Sequence, residues 1–242
     1  MDLKSLITLA YDLRGEQVTG PDWMSATRFD IIAKIPAGVP RAEVPQMLQS
    51  LLATRFGLAT HRSSVERPVF ALVVNKGGPK LKASSGTPAA IDPDAPLKPG
   101  QIKTQGSNGP ILMTVDQVHN GYTMDYGLKG KLTRSDNPAT HSIHMEFSMI
   151  TMQGLADLVS QIFRPLKGGL ARQIVDMTGI TGNYDATLDA SLTDVTATGS
   201  DPDGAAPPLN EAIQKLGLKL EPRSATMEQL VVDHIERTPT EN

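Results

Sequence analysis

His144 and Glu146 alternate along the run HSIHMEFS (141–148). A strand there places both on one face with Ser142, and turns Ile143, Met145 and Phe147 the other way. An imidazole beside a carboxylate is a beginning of acid–base catalysis or of a metal site. His144 and Glu146 are therefore the catalytic candidates, and His141, His144, Glu146, Asp201 and Asp203 the candidate metal ligands. The spacing specifies no cofactor outright; calcium or zinc would suit such a set of oxygen and nitrogen donors. The Asp-x-Asp pairs in IDPDA (91–95) and SDPDG (200–204) begin like calcium loops. No glutamate follows to complete either loop and their prolines disturb it, so both read as solvated acidic linkers.

A second group lies in DMTGITGNYDATL (176–188). Thr178, Gly179, Thr181, Gly182, Tyr184 and Asp185 are the ligand-binding candidates, because a glycine-rich loop can present backbone N–H groups. The loop lacks the Gly-Lys-Ser/Thr of a phosphate loop, and a strand rather than a helix follows, so the dinucleotide fingerprint is absent. The reading the residues favour is a tight turn that starts a strand at Tyr184. Trp23, the single tryptophan, is a further candidate ligand contact, read first as a core anchor after the Gly20-Pro21 turn.

Composition removes other chemistries. The 242 residues contain no cysteine, so disulfides, thiolate zinc sites and thiol nucleophiles are absent. No Gly-x-Ser-x-Gly elbow accompanies the five histidines. The net charge is −3 and no basic run exceeds a scattered pair, which argues against nucleic acid as a partner. No apolar stretch reaches the length of a membrane span, so no membrane insertion is expected. The opening MDLKSLITLAYDL lacks the pattern of a secretion signal and reads as an amphipathic helix.

The elements that must position these residues follow from periodicity. Leu3, Leu6, Ile7, Ala10 and Leu13 form one helical stripe, and Leu155, Leu158, Val159 and Ile162 another. PQMLQSLLA and PPLNEAIQ are helical patterns that stop at Gly57-Leu58 and Gly217-Leu218, glycine being the usual helix stop. After each, a short strand, a polar turn (SSVERP or RSATME) and an apolar strand are predicted. RFDIIAK (28–34) and NYDATLD (183–189) read as further strands. Residues 82–110 are rich in Pro, Gly and Ser and read as an exposed loop. Strands at ILMTVDQV, GYTMDYGL and HSIHMEFS follow, the first two joined by an Asn120-Gly121 hairpin. The expected fold is α+β, with repeated helix–strand–strand units whose helices pack on a mostly antiparallel sheet, in two pseudo-duplicated halves. The halves span 1–81 and 149–242, with a linker at 193–208, and a loop plus strand-rich insertion occupies 82–148.

FGLATHRSSVERPVFALVVNKGGPKLK, VDMTGITGNYDATLD, LGLKLEPRSATMEQLVVDHIERTPTEN and LITLAYDLRGEQVTGPDWMSATRFDIIAK together resemble a large uncharacterised family abundant in soil acidobacteria. The family carries Lys, Leu and Arg where this chain has Met177, Ile180 and Asn183, so two basic side chains are missing from the turn. Members usually bear an export signal and a short strand before the first helix, and some are fused behind membrane metallopeptidase domains of the antibiotic-sensor type. The resemblance implies an extracytoplasmic sensing or binding role and supplies no catalytic residue. The expected function is a non-catalytic module binding a small ligand, peptide or partner protein. The alternative is a metal-assisted hydrolase of small esters or lactones, such as acyl lactones.

Overall fold

The computed structural model of the chain describes all residues except 33, 37–38, 41–42, 107–108, 117–120, 164–171, 192–207 and 241–242. In chain order the elements are α1 (Leu3–Tyr11), β1 (Val18–Thr19), α2 (Val44–Phe56), β2 (Ala59–Val74), β3 (Lys82–Ala83), β4 (Gln101–Gly106), β5 (Gly109–Asp116), β6 (Gly121–Asp125), β7 (Lys131–Asn137), β8 (Ser142–Ile150), α3 (Met152–Phe163), β9 (Ile174–Asp176), β10 (Tyr184–Ser191), α4 (Leu209–Lys215) and β11 (Leu218–His234). The fold is α+β and its sheets are mostly antiparallel. One sheet has the order β1-β11-β2-β9 and the other the order β3-β10-β8-β7-β6-β5-β4.

The first sheet is built on a ribbon. β2 and β11 pair antiparallel from Leu218–Val74 to His234–Ala59, while β1 and β9 add only two and three residues at its flanks. This corrects the expected turns: SSVERP and RSATME lie in the middle of two continuous strands of 16 and 17 residues. The polar middle looked like a turn because it has no core beneath it to demand apolar residues. Its prolines fit the pairing. The N–H of Phe70 donates to Gln173 O, away from β11. Pro68, two residues back, and Pro222, opposite Phe70, therefore turn their missing donors to the ribbon's open edges.

Two cores sit at the ribbon's ends. At one end the apolar face of β8 and β10 (Ile143, Met145, Phe147, Ala186, Leu188, Ala190) packs with α3, α4, Leu72 and Leu218. At the other, α1, α2 and Met24 enclose Leu58, Leu230 and Val232. α1 is capped by Asp2, whose carboxylate accepts from Ser5 N at 2.8 Å. Phe29 and Phe56 meet edge to face, 5.1 Å apart. α3 is buried on nearly every face and carries Asp157 into the interior. That carboxylate, 7% exposed, binds Lys129 Nζ at 2.9 Å, Arg14 Nη1 at 3.4 Å and Gln153 Nε2 at 3.1 Å. Two segments distant in sequence, around Arg14 and Lys129, are thereby tied to one helix.

Two further expectations are corrected. RFDIIAK forms no strand among its described residues: Arg28 makes an isolated bridge with Asp2, and Ile32 is 99% exposed. Its alternation is strand-like, but among the described residues no neighbouring strand offers it a ladder. The loop expected over 82–110 contributes β3 and β4, and the polar run KLTRSDN, unassigned by periodicity, is β7. The Asn120-Gly121 turn falls partly outside the described residues, although β5 and β6 pair as a hairpin there requires.

Candidate functional site

The strand assignment of 141–148 places the catalytic candidates where alternation puts them. On β8, His144 and Glu146 face solvent and Ile143, Met145 and Phe147 face the core. β10 lies alongside with Asp189 opposite His144. His144 Nδ1 is 2.6 Å from Asp189 Oδ1, and Nε2 is 3.4 Å from Glu146 Oε1. The bond to Asp189 raises the His144 pKa above its ordinary 6.5; partial burial opposes this and Glu146 adds to it. The group is open, with the imidazole 43% exposed. His141 occupies the turn before β8 with φ 48° and an exposed side chain. Asp201 and Asp203 lie outside the described residues. Among the described residues, no three His, Asp or Glu side chains converge as ligands for a metal ion. In IDPDA, Asp92 accepts from Asp94 N at 2.8 Å and Lys103 Nζ donates to Pro93 O at 2.6 Å, so this acidic segment is pinned as a turn.

The glycine-rich stretch is a turn between β9 and β10. Asp176 accepts from the backbone and hydroxyl of Thr178 at 2.9 and 2.8 Å, and Thr178 Oγ1 accepts from Ile180 N. The Tyr184 hydroxyl closes the loop on Thr181 O at 3.0 Å. Gly179 and Gly182 have φ of 70° and 100°. Asp185 accepts from Met149 N at 3.1 Å. The side chains of Thr178, Tyr184 and Asp185, proposed as ligand contacts, are thus already bonded within the turn or to β8. Trp23 sits half-buried in a 3-10 turn against the second core, beneath the guanidinium of Arg237 at 5.2 Å.

A cleft of about 210 Å³ lies at the ribbon's waist, between the two cores. Arg67, Pro68 and Val69 of β2 and Met227 and Glu228 of β11 form its floor. Glu16 and Gln17, leading into β1, make one wall, and Arg172 and Gln173, leading into β9, make the other. The ion pairing is uneven. Glu228 binds Arg62 at 2.6 Å, and Glu16 stands 3.7 Å from Arg14 Nε. Arg67 donates to the neutral Gln229 Oε1 at 3.0 Å, and Arg172 lies over the ring of Phe70 at 5.8 Å. Among the described residues neither guanidinium has a carboxylate partner. Gln173 is 8% exposed, and its carboxamide bonds to no described residue. Its backbone carbonyl is taken by Phe70 N–H.

The sequence reading did not single out these residues. They come from four segments far apart in the chain, and only the antiparallel register of β2 with β11 brings Arg67 and Met227 to one floor. A usable signal was Arg67-Pro68 within a strand: a proline marks an open edge.

The sequence profile of a family described as "protein of unknown function (DUF3738)" matches residues 4–235. No curated protein and no solved structure matches the chain.

Proposed function

We propose, from the premise that the chain belongs to the DUF3738 family, that it is a non-catalytic extracytoplasmic module that binds a small molecule or a short segment of a partner protein in the waist cleft. The observation that carries this reading is the cleft itself: two guanidiniums without carboxylate partners among the described residues, over the apolar floor of Val69 and Met227. Concave, partly apolar sites with a few convergent polar groups are the usual form of ligand sites. Among the described residues no helix is long and apolar enough to cross a membrane; the extracytoplasmic placement rests on the family resemblance.

The test is side-chain NMR of the full chain against fragment mixtures. The Nε–H signals of Arg67 and Arg172 and the carboxamide signals of Gln17 and Gln173 are expected to shift together, and Met227→Trp, which fills the floor, is expected to suppress the shifts. Binding that leaves these four signals still would refute the site. The hydrolase reading keeps one observation, the Asp189–His144 hydrogen bond, which orients an imidazole. Its test is turnover of short p-nitrophenyl esters and acyl lactones with and without EDTA, where the binding reading expects none.

A further inference from the structure

The geometry points to a monocarboxylate on an apolar body as the ligand of the waist cleft, its carboxylate held by Arg172 and Arg67 and its body resting on Val69 and Met227. This rests on the reading of the cleft as the ligand site. Four observations converge on that chemistry.

The first is Arg172. Its guanidinium lies over Phe70, which occupies a face of the fork and leaves the in-plane donors free to grip a planar acceptor. The second is Arg67, whose one described bond goes to the neutral carboxamide of Gln229. An arginine held by a neutral acceptor retains its charge and most of its donors for a ligand. The third is Gln173. The residue is 8% exposed and lines the cleft, and its carboxamide, bonded to no described residue, can turn its N–H donors to a ligand. The fourth is the charge around the cleft. Glu16 lines one wall, and Glu228 alternates to the other face of β11 from Met227 and pairs with Arg62, so a monoanion gains two guanidiniums against one nearby carboxylate, whereas a dianionic phosphate meets more repulsion. The floor of Pro68, Val69 and Met227 then favours an aliphatic body.

Such a carboxylate could be borne by a free small acid or by the C-terminus of a peptide, and the experiment separates the two. Titrations of the full chain would compare N-acetyl-leucine, N-acetyl-leucinamide, the peptide Ac-Ala-Ala-Leu with a free C-terminus, and inorganic phosphate, read by calorimetry and by the side-chain signals of Arg172 and Gln173. N-acetyl-leucine is expected to bind about tenfold or more tightly than its amide, and Arg172→Gln to weaken it by a similar factor, since truncating a partner of a desolvated charged hydrogen bond costs at least that much. Arg67→Gln serves as a second variant, and an unchanged thermal midpoint in either shows that the fold survives. Tighter binding of the peptide than of N-acetyl-leucine supports a C-terminus as the source; equal binding supports a free acid. If acid and amide bind the cleft equally, or if Arg172→Gln and Arg67→Gln bind like the parent chain, the carboxylate inference fails while the cleft stands. Preference for phosphate overturns it likewise. If no probe moves the cleft signals and the fragment mixtures also fail to do so, the cleft reading falls as well.

Discussion

Asp157 is a charge on the buried side of a helix that exposes little beyond Gln153 and Gln161, and its position is explained by what reaches it: the ammonium of Lys129 from the β6–β7 connection and the guanidinium of Arg14 from the segment before β1. Such a pair contributes less than its Coulomb attraction, because three charged groups lose water to form it. Removing the carboxylate is another matter, since two cations are then left facing an interior. Asp157→Ala is expected to lower unfolding free energy by about 3 kcal/mol or more, measured by urea denaturation. Asp157→Asn keeps the shape and tests the charge alone; a loss under about 1 kcal/mol for both variants would show the cluster to be solvated and weak. His144 offers a pH measurement. Its folded pKa lies above the ordinary 6.5, chiefly through Asp189. The proton is thus held more tightly in the folded chain, so the stabilisation is fully present below pH 6.5 and fades as pH rises through the folded value. An NMR titration is expected to show this upward shift and Asp189→Asn to reduce it; an unchanged titration in the variant would assign the shift elsewhere. With the ring this exposed, the effect on stability is small.

Two glycines of similar φ separate backbone conformation from packing among the elements. Gly179 has φ 70° in the turn after β9, and a Cβ there would meet nothing within 4 Å. Gly217 has φ 73° between α4 and β11, and a Cβ there would collide with the backbone of Gly78 and Lys80. Gly179→Ala is expected to cost about 1 kcal/mol, the left-handed penalty alone. Gly217→Ala is expected to cost roughly 3–4 kcal/mol, because backbone must move. Equal urea midpoints for the two would contradict this account. The same elements show what sequence can and cannot carry. The stripes of α1 and α3 and the alternation of β8 were legible, since each buries one face and period follows burial. The stop at Gly217 was legible because helix termination is local; the clash that makes it indispensable was not, because Gly78 arrives from β2's exit. SSVERP misled because its half-covered face carries Ser63 and Arg67 as well as Val65, so burial alternates there without an apolar pattern to show it. RFDIIAK misled in the opposite sense, having the alternation without a partner strand. The cleft was the least legible feature, since pairing register rather than any local pattern assembles it.

Over the whole molecule, stability is expected to be uneven along the ribbon, because its ends are embedded in separate cores and its middle is not. Hydrogen exchange should be faster at residues 62–67 and 223–228 than at 70–74 and 218–220, and a uniformly protected ribbon would refute this. Bound N-acetyl-leucine in the waist cleft is expected to slow exchange in that middle stretch selectively. The antiparallel pairing of β2 and β11 has one more consequence, which is mechanical. Sixteen paired residues make a beam about 50 Å long. Force applied at Ala59 and Lys219 pulls the strands along their axes in opposite directions, so the rungs share the tension and must give way together. Force applied at Lys76 and Lys219 enters from one end and opens the rungs in succession. The chain has no cysteine of its own, so handles can be attached at either pair alone, and single-molecule extension is expected to require a clearly higher rupture force for the first pair than for the second. The protein would then be stiff along one axis and easily peeled across it, a directional strength set by nothing more than which ends of two paired strands leave for which core.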